Sequence, residues 1–219
     1  MIKAITFDLD NTLINFLRMK IKASNAAAKA MVKAGLKIST KQCKEELYND
    51  YLKDIEGERV FQRYLINKKN PSEKILAAAI NAYLKVKQTY LKPYPKVKQT
   101  LKKLKKKGIK LAIVTDAPRL KAFQRLDAMG IVNYFDIVVG LEDTGKTKPS
   151  NLPFKKVLKA LKLKPSQVLH VGDSISRDIK GAKAVGMKTC FAKYGSLSKR
   201  KSGADFEIEG IGELLKVVN

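Results

Sequence analysis

Two carboxylates, Asp8 and Asp10, stand two residues apart at the end of an apolar run from Ile2 to Phe7. On an extended backbone residues two apart point the same way, so both can face one site while Leu9 turns away. Two like charges at about 4 Å repel by about 4 kcal/mol at an effective dielectric of about 20, so the pair demands a proton, a metal or a cation. Later apolar runs end in Thr115-Asp116, in a loop carrying Lys146 and Lys148, and in Gly172-Asp173-Ser174, with Asp178 just beyond. Carboxylates, a hydroxyl and lysines in this order are the inventory for magnesium-assisted phosphoryl chemistry. Hard oxygen ligands such as Asp8 and Asp173 suit Mg²⁺, which completes its shell with water and phosphate. A carboxylate nucleophile approaching a phosphate dianion is repelled strongly, so one metal and one lysine are the least that relieves it. Thr115 and the backbone N–H groups of Asp116 and Ala117, near the start of the next helix, suit the remaining phosphate oxygens.

These groups converge only if each ends a strand of one sheet. After the first strand the chain holds no convincing strand for about eighty residues. Helical periodicity runs from Leu17 to Leu36 with Gly35 near its end, resumes at Ser39 with Gln42 completing a capping box, and continues through Val60, Tyr64 and Leu65. Asn70-Pro71-Ser72-Glu73 then supplies an N-cap, a first-turn proline and an acidic first turn for a helix through Leu91. Pro93 and Pro95 mark the return. From there helices over 96–107, 118–129, 151–161 and 175–185 alternate with strands over 110–115, 136–139, 167–171 and 187–192. A basic loop over 193–203 and a last short strand and helix within 206–218 follow. This alternation predicts an α/β fold, a Rossmann-like parallel sheet with helices on both faces, whose ligands bind outside the carboxyl ends of the strands. The expected domains are an α/β core from 1–14 and 93–219 and a small all-helical domain from 15–92.

With 219 residues, 45% of them hydrophobic, the chain can build a real interior. No stretch holds the ~18 uncharged apolar residues of a membrane span, and nothing resembles a signal peptide, so a soluble cytoplasmic protein is expected. Cys43 and Cys190 are far apart with no CxxC spacing, which predicts reduced, structural thiols. Net charge is +25. The basic residues are spread along the whole chain without interleaved aromatics, so a solvated lysine-rich surface is expected rather than a nucleic-acid site, and the protein is expected to be a monomer or homodimer.

DLDNT after a strand, VTD at 114–116, Lys148-Pro149, and VGDSISRD at 171–178 resemble the four motifs of the haloacid dehalogenase (HAD) superfamily. The resemblance spans essentially the whole chain, and the helical insert is similar to the cap these enzymes carry after the first motif. It implies Asp8 as a nucleophile forming a phospho-aspartate, and Asp10 as acid to the leaving oxygen and then base to water. It further implies Mg²⁺ held by Asp8, the Asp10 carbonyl and Asp173, a phosphoryl group held by Thr115 and Lys148, and Asp178 in support of the metal or Lys148. Lys146 is the lesser candidate for the lysine. Where phosphatases of this group often carry a second proline, this chain has Asn151. The dehalogenase branch lacks an acid two residues past its nucleophile, because a halide needs no proton, whereas Asp10 is what a departing alkoxide needs. The expected activity is therefore hydrolysis of a small-molecule phosphate monoester such as a sugar phosphate, glyceraldehyde 3-phosphate or phosphoglycolate.

Rival readings are a sugar-phosphate mutase, a 2-haloacid dehalogenase, and a catalytically weak nucleic-acid-binding protein. Residues 140–147, GLEDTGKT, also satisfy the phosphate-loop pattern GxxxxGK[ST]. Pro149 and Pro153 would fall in the first turns of the helix such a loop feeds, and Glu142 and Asp143 would face the triphosphate, so the match is rejected. His170 is expected to be a buried, hydrogen-bonded residue. Arg18, Lys22 and Arg63 are candidate cations in the helical insert for a second anionic group of the substrate.

Overall fold

A computed structural model describes residues 1–53 and 59–218. They fall into two compact units, Met1–Asn15 with Lys92–Asn219, and Phe16–Leu91. The first is built on six parallel strands in the order β3-β2-β1-β4-β5-β6. These are β1 (Ala4–Phe7), β2 (Lys110–Val114), β3 (Ile137–Val139), β4 (Val168–Gly172), β5 (Lys188–Ala192) and β6 (Phe206–Ile208). The order reverses direction at β1 and β4, the arrangement that leaves a ligand crevice at the carboxyl ends of those strands.

Every residue of β1 is buried, as a strand covered on both faces requires. Its alternation assigns Ala4 to a core with Ala112, Val114, Val139, Phe154 and Val168. Helices α7 (Asn151–Leu161) and α8 (Lys180–Ala184) cover that face. Thr6 and Asp8 share it by the period of two, and Thr6 Oγ1 meets His170 Nδ1 at 2.8 Å. Between β1 and β2 in this unit lies α5 (Val97–Lys106), which buries Val97, Thr100, Leu101 and Leu104 and turns its lysines outward. Helices α6 (Arg119–Ala128) and α9 (Leu214–Val217) complete the unit. Cys190 is buried, and Cys43 is buried in the other unit.

The second unit holds α1 (Phe16–Lys33), α2 (Thr40–Lys53), α3 (Val60–Asn67) and α4 (Glu73–Tyr90). Its core packs Ala27, Ala28 and Met31 against Leu47, Leu65 and Ala79, alanines allowing close helix approach. Ser39 Oγ accepts the Gln42 N–H at 3.1 Å, but the Gln42 side chain turns to Glu46 at 3.0 Å, so the expected capping box is only half made. The cap of α4 is Ser72, not Asn70: Asn70 N–H closes the end of α3 on the Leu65 carbonyl, which leaves Pro71 outside the helix. Arg18, Lys22 and Arg63 are exposed, Arg18 lying 5.8 Å from the Tyr90 ring centroid. Among the described residues no helix is long and apolar enough to cross a membrane.

Asp205 ties the approach of β6 to β5 by accepting the Thr189 N–H and hydroxyl, each at 2.8 Å. Burial works against its charge, but the two Thr189 bonds and Lys188 hold its carboxyl below the ordinary range. A folded-state pKa below the unfolded one contributes stability that is present above about pH 4 and lost as pH falls through the folded value. Asp205→Ala should therefore lower stability by about 1 kcal/mol at neutral pH. In urea unfolding followed against pH, the gap between variant and wild type should close in acid.

Candidate active site

The carboxyl ends of β1, β2 and β4 lie side by side because the register pairs Phe7 with both Ile113 and Val171. Asp8 leaves β1 with its N–H on the Val171 carbonyl at 2.9 Å. The chain then turns tightly, with Asn11 at φ 63° and the Leu13 N–H on the Leu9 carbonyl. This turn brings the Thr12 hydroxyl between Asp8 Oδ2 at 3.3 Å and Asp173 Oδ1 at 3.4 Å. Tyr194 fastens the turn from outside, donating its hydroxyl to the Thr12 carbonyl at 2.8 Å. Next to it Gly195 packs so closely that a Cβ would lie 1.7 Å from the Asn11 carbonyl oxygen, so only glycine fits.

Lys148 resolves the choice between the two loop lysines: it is 3% exposed, whereas Lys146 is exposed to solvent. Its ammonium donates to Asp8 Oδ1 at 2.5 Å, Asp178 Oδ1 at 2.6 Å and the Val114 carbonyl at 3.1 Å. Burial alone would strip its proton, but Asp178, Asp8 and Asp116 more than offset that and hold it firmly protonated. The Lys148 N–H is fixed in turn by Asp116 Oδ1 at 2.8 Å. Pro149, cis to Lys148, and the Ser150 cap lead into α7. The preceding Glu142 and Asp143 do not face a phosphate; they accept the N–H and the guanidinium of Arg119, clamping the start of α6.

Asp178 is fully buried, accepting from Lys148, from the Ser174 N–H at 3.0 Å, and meeting His170 Nε2 at 3.4 Å. Burial pushes its carboxyl up, yet Lys148 and His170 prevail and hold it well below the ordinary range. A Cβ on Gly172 would lie 2.4 Å from the Asp178 side chain, so the glycine is what admits this carboxylate. His170 is buried between Thr6, Asp178 and the edge of the Phe154 ring, the role expected of it.

Asp8, Asp173 and Asp178 each present an oxygen within 4.8 Å of the others. Burial, Asp8 and Asp178 push the Asp173 carboxyl up to about 8, and burial pushes Asp8 upward against the pull of Lys148. The donors are all hard oxygens, one lysine does not neutralise three acids, and the set therefore fits a divalent cation.

Of the residues marked by sequence, Asp8, Asp116, Lys148, Asp173 and Asp178 are brought into one connected set, and two readings are revised. Thr115 Oγ1 accepts the Ala117 N–H at 3.2 Å, so that N–H is not turned toward a ligand; the hydroxyl proton of Thr115 remains a donor. Asp116 acts through its carboxylate, on Lys148 N and on Arg177 Nη1 at 3.3 Å. Sequence reasoning missed Thr12, Tyr194, Arg177 and above all Arg125. Arg125 is buried on the apolar side of α6 with Ala122 and Leu126, and its Nη1 lies 2.5 Å from Asp10 Oδ2. The signal was available: an arginine interrupting a helix's apolar stripe needs a buried anion.

The chain matches the family model described as haloacid dehalogenase-like hydrolase over residues 5–192. It is 37% identical to the glyceraldehyde 3-phosphate phosphatase of Methanopyrus kandleri, covering 100% of this chain and 97% of that protein. It is 32% identical to the phosphoglycolate phosphatase of Aquifex aeolicus, covering 99% and 97%. Among solved structures, that of a HAD phosphatase from Thermococcus onnurineus superposes with a TM-score of 0.76 at 25% identity, covering 100% of this chain and 98% of that one.

Two outcomes follow from the charge balance. Lys148→Met leaves buried carboxylates facing one another and should lower stability at neutral pH by about 3–5 kcal/mol. Thermal unfolding should show part of that loss recovered in mild acid, where the carboxyls take up protons. In the wild type, a divalent cation must displace the Asp173 proton below about pH 8. The rise in melting temperature on adding MgCl₂ should therefore be larger at about pH 9 than at about pH 6.

Proposed function

The chain belongs to the haloacid dehalogenase-like hydrolase family, and we propose that within it this protein is a Mg²⁺-dependent phosphatase of small phosphate monoesters. The observation that carries the reading is the second carboxylate. Asp10 stands two residues past Asp8 and is held by a buried arginine, a placement that a halide-releasing enzyme would not need. Its relatives named for glyceraldehyde 3-phosphate and phosphoglycolate support a substrate of two or three carbons bearing one phosphate.

Each residue's task follows from its surroundings. Lys148 fixes one oxygen of Asp8 and Thr12 the other, so the nucleophile has a single orientation. An Asp8 oxygen attacks phosphorus as the bond to the ester oxygen breaks, and the departing alkoxide takes a proton from Asp10. Asp10 then accepts a proton from the water that attacks the phospho-aspartate, releasing inorganic phosphate and restoring Asp8. The Thr115 hydroxyl donates to a phosphoryl oxygen. Asp8, Asp173 and the Asp10 carbonyl would hold Mg²⁺, which when bound neutralises charge on the phosphoryl oxygens. Asp178, committed to Lys148, keeps that ammonium in place rather than joining the metal.

A phosphate-release screen over small phosphate esters, with and without Mg²⁺, tests this directly. Asp8→Asn should lose about 10³-fold or more of wild-type turnover; a variant that matches wild type on every ester overturns the mechanism. Asp10→Asn should lose about 10²–10⁴-fold on an alkyl phosphate. On p-nitrophenyl phosphate, whose leaving group needs little help from an acid, the loss should be much smaller. Arg125→Met should reproduce that contrast between esters in weaker form, because it releases Asp10 from its position without removing it.

A further inference from the structure

Two of the donors that a phosphoryl group should meet are already engaged inside the protein. The Lys148 ammonium has three N–H bonds and three acceptors, Asp8, Asp178 and the Val114 carbonyl. The Ala117 N–H is taken by Thr115. Four carboxylates, Asp8, Asp116, Asp173 and Asp178, stand against two cations, Lys148 and Arg177, so even a divalent cation brings the local sum only to zero before a phosphate dianion arrives. The site calls for one more donor with hydrogens to spare.

Arg177 has them. It sits on a π-helical turn, Ile175–Ile179, in which the Ser174 carbonyl accepts both the Asp178 N–H at 2.8 Å and the Ile179 N–H at 3.2 Å. Such turns carry one more residue than an α-helical turn and recur at functional sites. Here the wider turn sends neighbouring residues in opposite directions: the Asp178 side chain is wholly buried, whereas that of Arg177 is 47% exposed. The guanidinium is tethered by long contacts only, Nε to Ser174 Oγ at 3.3 Å and Nη1 to Asp116 Oδ2 at 3.3 Å. Two of its five N–H groups are thereby engaged among the described residues. Burial of the guanidinium is more than offset by Asp8, Asp178, Asp116 and Asp173, which places it within reach of the site's field.

We propose that Arg177 is a substrate-binding residue that leaves Asp116 to grip the phosphoryl oxygens of the ester and of product phosphate. This rests on the phosphatase reading. The phosphoryl end is the one addressed because Arg177, Asp116, Lys148 and Asp8 form one connected set, whereas the leaving oxygen belongs to Asp10 and Arg125. A guanidinium fork presents parallel N–H groups to two phosphate oxygens, which Lys148, a single buried point charge, does not.

The test is binding of inorganic phosphate and orthovanadate to the Mg²⁺-loaded protein, by calorimetry and by inhibition of turnover, in wild type, Arg177→Met and Arg177→Lys. Arg177→Met should weaken both anions by about tenfold or more, with KM rising by a similar factor, kcat changing less, and the melting temperature staying close to wild type. Arg177→Lys, which keeps the charge but loses the fork, should fall between. If Arg177→Met binds phosphate as wild type does, the residue only braces the Asp116 loop and the proposal is overturned, whether or not the melting temperature falls. If wild type neither binds phosphate nor hydrolyses any ester, the phosphatase reading fails as well.

Discussion

One ammonium buried between two carboxylates sets the terms for everything around it. Lys148 cannot stay charged in the interior without Asp178 and Asp8, and Asp178 cannot stay charged without Lys148. The three are not equivalent partners. Asp178 also receives the Ser174 N–H and meets His170, so its charge is settled within the protein, while burial and the Asp178 charge push Asp8 and Asp173 upward, Asp8 adding to the push on Asp173. The network thus sorts three clustered carboxylates into one committed to lysine and two still short of positive charge. A demand for an external cation is built in at the same spot where Asp8, the proposed nucleophile, is oriented.

The sheet makes that network possible. Pairing β1 with β2 on one side and β4 on the other aligns three strand ends, so that Asp8, the Val114 carbonyl and Asp173 meet without long loops. Short-range details then close the remaining gaps. Gly172 admits Asp178, Gly195 admits the Asn11 turn, and the Asp116 carboxylate holds the loop that carries Lys148. Each is a local conformational need met by a small or polar residue at one position, and none adds core volume. Stability lies instead in the apolar cluster beneath, from Ala4 through Phe154 to Met187.

Strand ends, their acids and the helical insert were legible because each has a period or a composition shift behind it. Asp8 and Asp173 could be marked from their positions after apolar runs alone, and Asp178 from the motif that continues past Asp173. The need of Arg125 for an anion is legible in its helix, but which anion is not, since Asp10 lies 115 positions away and only the folded chain brings it near. The same holds for Thr12, whose hydroxyl reads as ordinary until Asp173 arrives beside it. Helix caps failed for a different reason. Asn70, Pro71 and Ser72 all suit a helix start, and the choice of Ser72 was made by the end of the previous helix, which uses Asn70 for itself. The π-helical turn over 175–179 is indistinguishable from plain helix in the sequence, because periodicity over five residues cannot separate the two.

The charge of the whole chain and the charge of the site have opposite signs. A net +25 draws phosphate esters toward the surface at large, yet beside the Asp10–Arg125 pair the strand ends hold four carboxylates against two cations. Long-range attraction therefore brings many anions near without selecting among them. Selection must come at short range, from donors with free hydrogens and from a proton supplied where the bond breaks. The first is a matter of which N–H groups the fold has left unspent, and that points to the loosely tethered Arg177 over the saturated Lys148. For the second we propose Asp10, pinned by Arg125 two residues past Asp8. A fold shared by enzymes of differing chemistry does not decide between releasing a halide and releasing an alkoxide; one anchored carboxylate does.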